Sequence, residues 1–312
     1  MKRLSIIIYS LLAIVIQLYA QTCDLPICIA FENGSTEQIP VQARQQIANK
    51  MKQILTTNGV AGDMRYSQFV MVPHVNTVDK HILAGPPVKV AMSLSVSFEI
   101  RELTEGIVMS MYSTEVNGVG DNETKAYVQG IKQIAGGNPN VKDFIEGAQR
   151  KIVEYYDKNS KNIIKKAQTL AATNQYDEAL YHLMSVPECC SSYDEVSQMA
   201  MMIYQIRIDR EGEQMLTEAQ AIWAAGNKED AAMRAAEILA QIDPDAGCYA
   251  KASKLLDEIK KKSSANASWS IEMRKFDAAV DIQKRKIEAA KAVGVAYGNG
   301  QQPKTTNLVF AK

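Results

Sequence analysis

The periodicity of this chain changes near Asn138, and that change limits what it can fold into. Before that point apolar and polar residues alternate. After it, apolar residues recur every three to four positions almost to the end. Between Val88 and Arg101 the even positions carry Val88, Val90, Met92, Leu94, Val96, Phe98 and Ile100. The odd positions are mostly Lys, Ser, Glu and Arg, the pattern of a half-buried strand. From Val141 onward the text is rich in Ala, Lys and Glu at helical spacing. The reading is an α+β chain. A mixed α/β domain over 21–138, with a sheet of about four strands, precedes a helical-hairpin array over 139–298 and a tail at 299–312.

Length agrees, because 312 residues can fill two ordinary cores. Lysine plus arginine equals aspartate plus glutamate, 35 against 35. That balance argues against nucleic acid, which calls for a basic stripe, and against a polybasic hold on anionic lipid.

Residues 1–20 read as a secretory signal peptide. Lys2 and Arg3 form a basic start, Leu4 to Tyr19 is almost wholly apolar, and Ala20-Gln21 offers a cleavage point, although Leu18 is larger than ideal before it. The alternative is an uncleaved anchor helix over Ser5 to Ala20. Either way the chain is expected to be exported, to the periplasm or the periplasmic face of an outer membrane. Lipidation of Cys23 is a further option, but Ala20-Gln21-Thr22 lacks the small residues that such a signal wants.

An exported chain keeps its cysteines outside the reducing cytosol. Cys23 and Cys28 are close enough to bridge, and Cys248 could join one of the adjacent pair Cys189 and Cys190, with Cys190–Cys248 the candidate staple between helical hairpins. The alternative is that these are buried thiols acting as small hydrophobes. The three histidines, His74, His81 and His182, share no ligand spacing with the cysteines, so neither a metal nor any other cofactor is expected.

Within the first domain, Cys28 to Glu32 reads as a short strand. Ile47, Met51 and Ile54 mark one face of a helix from about Pro40 to Leu55, closed by Asn58-Gly59. Tyr66 to Val75 reads as a second strand and Val88 to Arg101 as a third. A turn at Leu103–Gly106 leads to a return strand, Ile107 to Val116, and then to a helix over Glu123 to Ile134. Gly118-Val119-Gly120 ahead of that helix could present backbone N–H groups to an anion. It lacks the third glycine of a dinucleotide fingerprint and the lysine of a P-loop, so a turn with Asp121 or Asn122 capping the helix is the plainer reading.

Three short motifs stand out here: Ile29-Ala30-Phe31-Glu32-Asn33, Thr104-Glu105-Gly106-Ile107-Val108, and Gly118-Val119-Gly120 followed by Ala126 and Gly130. On these the domain resembles the one shared by the curli secretion channel CsgG and the penicillin-binding-protein activator LpoB. The resemblance covers about a third of the chain. It implies an envelope protein that binds or assembles with protein partners. The channel's spanning hairpins need alternating segments of about ten residues per strand, and no such insertion separates these strands. The implied member is therefore a partner-binding protein rather than a pore.

In the second half, Phe144, Ala148, Ile152 and Tyr155 begin one long helical face that continues through Ile163, Ala167 and Leu170. A turn at Asn174-Gln175 and a short helix from Tyr176 follow, and the scheme recurs around Gly226-Asn227 and Glu229. These helix-turn-helix units resemble tetratricopeptide repeats with lengthened helices. Trp269, Met273, Phe276, Val280 and Ile287 form a stripe on a last helix, and the runs Lys260–Lys262 and Lys284–Lys286 read as solvated faces. The strand-like Asn307–Phe310 suits docking on a sheet edge, in its own chain or a partner, or a disordered end.

No nucleophile–base pair, paired-carboxylate motif or metal-protease signature is present. The expected function is a non-catalytic scaffold or adaptor that binds envelope proteins. The alternative is a secretion or assembly component related to the curli channel. Homo-oligomerisation and peripheral membrane association stay open.

Overall fold

The computed structural model describes residues 25–32, 39–62, 67–103, 105–226, 229–263, 271–273, 282–300 and 308–310. The expected signal segment, with Ala20, Gln21 and Cys23, lies outside the described residues. So do Trp269, Phe276 and Val280 of the expected stripe.

The chain divides into two compact units. The first comprises 1–158, 187–193 and 302–312; the second comprises 159–186 and 194–301. The division falls inside a helix at residue 158, twenty residues past the change of periodicity at Asn138. The first turns of that helix bury Val141, Phe144, Ile145, Ala148, Ile152 and Tyr156. Tyr112–Phe144 and Phe69–Tyr156 ring contacts tie those turns to the sheet.

Unit 1 is a five-stranded mixed sheet. Its strands are β1 (Ile27–Glu32), β2 (Phe69–Leu83), β3 (Lys89–Glu102), β4 (Val108–Gly120) and β5 (Leu308–Phe310), in the order β4-β3-β2-β1-β5. β1 runs parallel to β2 because helix α1 (Val41–Thr57) makes the crossover. The remaining pairs are antiparallel. α1 buries Ala43, Ile47, Met51, Ile54 and Leu55. Gly59, at φ 71°, ends it with the left-handed residue its position requires. Helix α2 (Glu123–Lys132) is capped by Asn122, whose side chain accepts from the Lys125 N–H at 2.9 Å. On β3 the even-numbered Met92, Leu94, Val96, Phe98 and Ile100 are buried. The helices thus cover one face of the sheet, as the alternation requires.

Two strands run past their expected ends. β2 continues eight residues beyond Val75, and β4 four beyond Val116. Both extensions are paired with β3 but poorly buried, so hydrophobic alternation does not mark them. The tail strand β5 adds antiparallel to β1 in its own chain, with Phe31 opposite Val309.

The helix that crosses the division, α3 (Pro139–Ala172), is 34 residues long and is followed by α4 (Tyr176–Met184). Then come α5 (Tyr193–Ala225, 33 residues), α6 (Glu229–Leu239), α7 (Tyr249–Lys262) and α8 (Ile282–Gly300). A long helix followed by a short one therefore occurs twice, the short ones starting 53 residues apart (Tyr176 to Glu229). The core of unit 2 around α5, α6 and α7 contains Leu216, Ala219, Ala232, Ala235, Ala236, Leu239, Ala252, Leu256 and Ile259. α8 packs against α4 through glycines. A Cβ on Gly298 would stand 2.5 Å from the Tyr181 ring, and one on Gly294 would stand 3.1 Å from the Tyr181 backbone.

Candidate functional site

The sheet's second face, away from α1 and α2, carries the polar half of the alternation. Register aligns Val72 with Glu99, His74 with Ser97 and Val70 with Arg101. A charge cluster results. Arg101 donates through Nε to Glu99 Oε1 at 2.7 Å and through Nη1 to Glu32 Oε1 at 2.8 Å, while His74 Nε2 lies 3.5 Å from Glu99 Oε2. The Glu99 and Arg101 side chains are only 8% and 13% exposed. His74 and Arg101 together hold the Glu99 carboxyl below the ordinary carboxylate range against the opposing pull of burial. The Arg101 contact is the shorter of the two and has the better hydrogen-bond geometry. Beside this cluster Cys28, Ala30, Val70 and Val72 form an apolar patch with Leu103 packed on it. Every charge in the cluster has a partner at hand, which suits a structural clamp on the central strands.

The thiols require a correction. Cys28, Cys190 and Cys248 are buried, and none of them is in a disulfide. The expected Cys23–Cys28 and Cys190–Cys248 bridges are therefore not formed. Cys28 points its S–H at the Phe69 carbonyl, 3.4 Å away on β2. Cys190 sits in a segment of unit 1 that Asp157 holds, accepting from Ser192 N at 3.1 Å and Ser192 Oγ at 3.0 Å. Burial, with Asp157 nearby, pushes the Cys190 thiol up to about 12. Cys248 belongs to the core of unit 2, where a Cβ added at Gly212 would lie 2.8 Å from its sulfur. Cys189, by contrast, is disulfide-bonded.

Gly118 and Gly120 lie in β4 and do not form a phosphate loop. A Cβ on Gly118 would stand 1.8 Å from the Ala126 carbonyl oxygen, and one on Gly120 2.4 Å from the Ala126 nitrogen. The glycines are there because α2 crosses the strand at backbone contact. The histidines are scattered: His81 lies 2.5 Å from Asp79 and His182 3.7 Å from Glu178. Among the described residues no group of three potential ligands could hold a metal ion.

In unit 2 a polar network gathers at the turn between α6 and α7. Arg285 makes a fork to both oxygens of Asp245 at 2.7 and 2.8 Å. Lys286 donates to Gln205 at 2.6 Å, Gln205 donates to Asp209 at 2.8 Å, and the Gly247 N–H donates to Asp209 at 2.7 Å. Tyr204 donates to Asp243 at 3.1 Å, and burial together with that carboxylate pushes its phenol up to about 12. The network pins the turn between α6 and α7 to α5 and α8. Two residues of the run Lys284–Lys286 are thus engaged rather than solvated. A shallow depression bordered by Arg210, Glu213, Gln214, Thr217, Glu218 and Ala221 is one side of α5 alone, without an opposing wall.

What remains is the far end of the sheet. From Asn76 to Lys89 every residue is exposed. This arm carries Val78, Ile82, Leu83 and Val88 into solvent, with Ile82 at 72% exposure. Up to Ile82 opposite Val90 it is backed by β3 and β4, and only the Leu83–Lys89 pair and the turn between them extend past β4. Lys80 is ion-paired with Glu123 at the start of α2. The arm's signal in the sequence was Gly85-Pro86-Pro87 flanked by Ile82-Leu83 and Val88. Apolar residues on both sides of a turn gave no indication that nothing would cover them.

No protein-family model matches the chain, and no curated protein matches it. Among solved structures it is similar to a minor lipoprotein from Acinetobacter baumannii, at 17% identity over 41% of this chain and 92% of that one, with a TM-score of 0.25. It is similar also to a "putative lipoprotein" from Caulobacter crescentus CB15, at 13% identity over 39% and 88% of the two chains, with a TM-score of 0.24. Scores of this size leave function open.

Proposed function

We propose that the chain is an exported, non-catalytic interaction protein of the bacterial envelope, in which unit 1 grips a protein partner through the β2–β3 arm. The arm is the observation that carries this reading. Asn76 to Leu83 is the outer strand of this end of the sheet, paired to β3 on one side and exposed at every residue, and exposed apolar side chains grouped at one place mark a contact surface. Export is supported by the basic and apolar N-terminal segment, Lys2 to Tyr19. The resemblance of unit 1 to the CsgG and LpoB domain points the same way. Asp79, Lys80 and His81 interrupt the apolar pattern of the arm. A lipid-facing strand would alternate without such charges, so a protein partner fits better than a bilayer.

The test is affinity capture from envelope extracts with the wild type and with an I82S/L83S double variant. Both residues are exposed, so the variant should keep the wild-type circular dichroism and lose the specific partner. Equal capture by the two proteins would overturn the assignment of the arm. Recovery of the full chain in the cytosol after fractionation would overturn export.

A further inference from the structure

The edge strands of this sheet are β4 and β5, and β2 is open in addition where β1 does not reach it. The outer side of β1 is occupied by the chain's own β5. The upper part of β2, which β1 does not reach, carries Asp79, Lys80 and His81 and a register shift between Thr77 and Asp79. Charges and bulges are how natural sheets keep an edge from pairing. β4 ends the sheet on the other side; it has one register shift, at its start between Val108 and Ser110, and none of that protection from Ser110 onward. It is 13 residues long, contains no proline, and has Glu115 as its sole charge.

The hydrogen-bonding row of that edge can be assigned. The turn bonds, Glu102 N–H to Ile107 O and Gly106 N–H to Glu102 O, set which β3 residues face β4. Carried through the register, which shifts by one residue between Val108 and Ser110, with Ile100 opposite Ser110 and Val96 opposite Thr114, they turn the even-numbered β4 residues from Ser110 onward toward β3. Odd-numbered residues then point their N–H and C=O outward. Gln133 Nε2 donates to the Asn117 carbonyl from outside at 2.5 Å, in agreement.

We infer that β4 is a self-pairing edge: two copies of this chain join β4 to β4 antiparallel about a twofold axis at Thr114, making one continuous sheet. The full strand, Val108 to Gly120, overlaps itself completely only in that register. There Thr114 meets Thr114, Tyr112 meets Val116, Met111 meets Asn117 and Glu115 meets Ser113. Thr–Thr and aromatic–β-branched pairs are favourable across strands. The one charged residue never opposes itself, whereas a shift of the axis to residue 115 would set Glu115 against Glu115. Ser113, Glu115 and Asn117 lie on the exposed side of the strand, so the incoming copy does not displace α2. Gln133 is exposed and holds the place of an incoming N–H at Asn117. The occupant is a second copy because the strand complements itself; the inference rests on the sheet and not on the role of the arm.

The experiment is sedimentation equilibrium of the mature protein over a concentration series, with S113E, E115K and the S113E/E115K pair. Wild type should show a monomer–dimer equilibrium. S113E sets Glu opposite Glu twice in the symmetric pair and should weaken the dimer several-fold to about tenfold. The double variant should restore it by setting Glu opposite Lys twice. A wild-type monomer at every concentration would overturn the inference. So would a dimer indifferent to these changes, or β4 pairing with a strand from another protein instead.

Discussion

In unit 1 the buried side chains between α1 and the sheet include the large Phe98, Ile100, Leu94, Met71, Ile47, Met51 and Ile54. In unit 2 the buried positions on α5, α6 and α7 include Ala219, Ala232, Ala235, Ala236 and Ala252. Where α1 lies on the sheet, large side chains fill the gap between them, although α2 meets β4 at backbone contact at Gly118 and Gly120. Two helices whose facing positions are small approach until their backbones nearly touch. The two halves should therefore fail in opposite ways, unit 1 when a side chain is removed and unit 2 when one is enlarged.

The largest effect is expected from Phe98→Ala, which deletes a wholly buried ring from the middle of β3. A loss of about 3–5 kcal/mol is expected for such a truncation, read as the shift of the unfolding midpoint in urea. Ala236→Leu is the matching insult in unit 2. Overpacking there should cost about 1–3 kcal/mol, while Ala236→Gly should cost about 1 kcal/mol through helix propensity alone. If Ala236→Leu were neutral, the helices would not be in the close contact described, and the contrast between the units would fail.

Gly212→Ala sharpens the same point at one atom. Its Cβ would meet Cys248 Sγ at 2.8 Å and the Ala246 Cβ at 3.1 Å. About 1–3 kcal/mol should be lost, and part of it should return in the Gly212→Ala, Cys248→Ala double variant, because removing the sulfur opens that space. Additive losses would mean that the strain is relieved elsewhere in α5.

Much of this architecture could be read from the residues, and the parts that could not have physical reasons. The even positions of β3 announced a half-buried strand, and the spacing of Ile47, Met51 and Ile54 announced α1. The ends of β2 and β4 were hidden because ladder hydrogen bonds hold them without burial. Gly118 and Gly120 read as a turn before a helix capped by Asp121 or Asn122; Asn122 is the cap, but the glycines belong to β4, because a glycine needed for close helix approach is written the same way as one needed for a turn. The cysteines misled for a similar reason. Spacing shows which thiols could meet, but Cys190 and Cys248 are each sealed inside a separate core. The cluster of Glu32, His74, Glu99 and Arg101 depended on strand register, and no local pattern fixes which residues stand opposite one another.

That cluster predicts a smaller, pH-dependent loss in unit 1. Because the folded Glu99 carboxyl titrates below its ordinary 4.5, its contribution is fully present above the unfolded carboxylate value. It fades as pH falls through the folded one. Glu99→Gln should cost about 1.5 kcal/mol at neutral pH, and the gap to wild type should close on acidification below about pH 4. A gap that is constant with pH would show that the ionised carboxylate is not what Arg101 and His74 hold.

The smallest effect should come from the arm. Ile82→Ser removes an apolar side chain that is 72% exposed, and a change at such a site stays within about 0.5 kcal/mol. Its two neighbours on the strand, His81 and Leu83, are exposed as well, so no cavity forms and no polar group is buried. The ladder from Asn76 opposite Ser95 to Leu83 opposite Lys89 is made by backbone groups and survives the change. Chemical denaturation should therefore place Ile82→Ser on the wild-type curve, while Phe98→Ala on the same sheet moves far to lower urea. A loss above about 1 kcal/mol at Ile82 would mean that the arm folds back onto the body in solution. In that case its apolar residues would serve the stability of unit 1 and would not be held out for a partner.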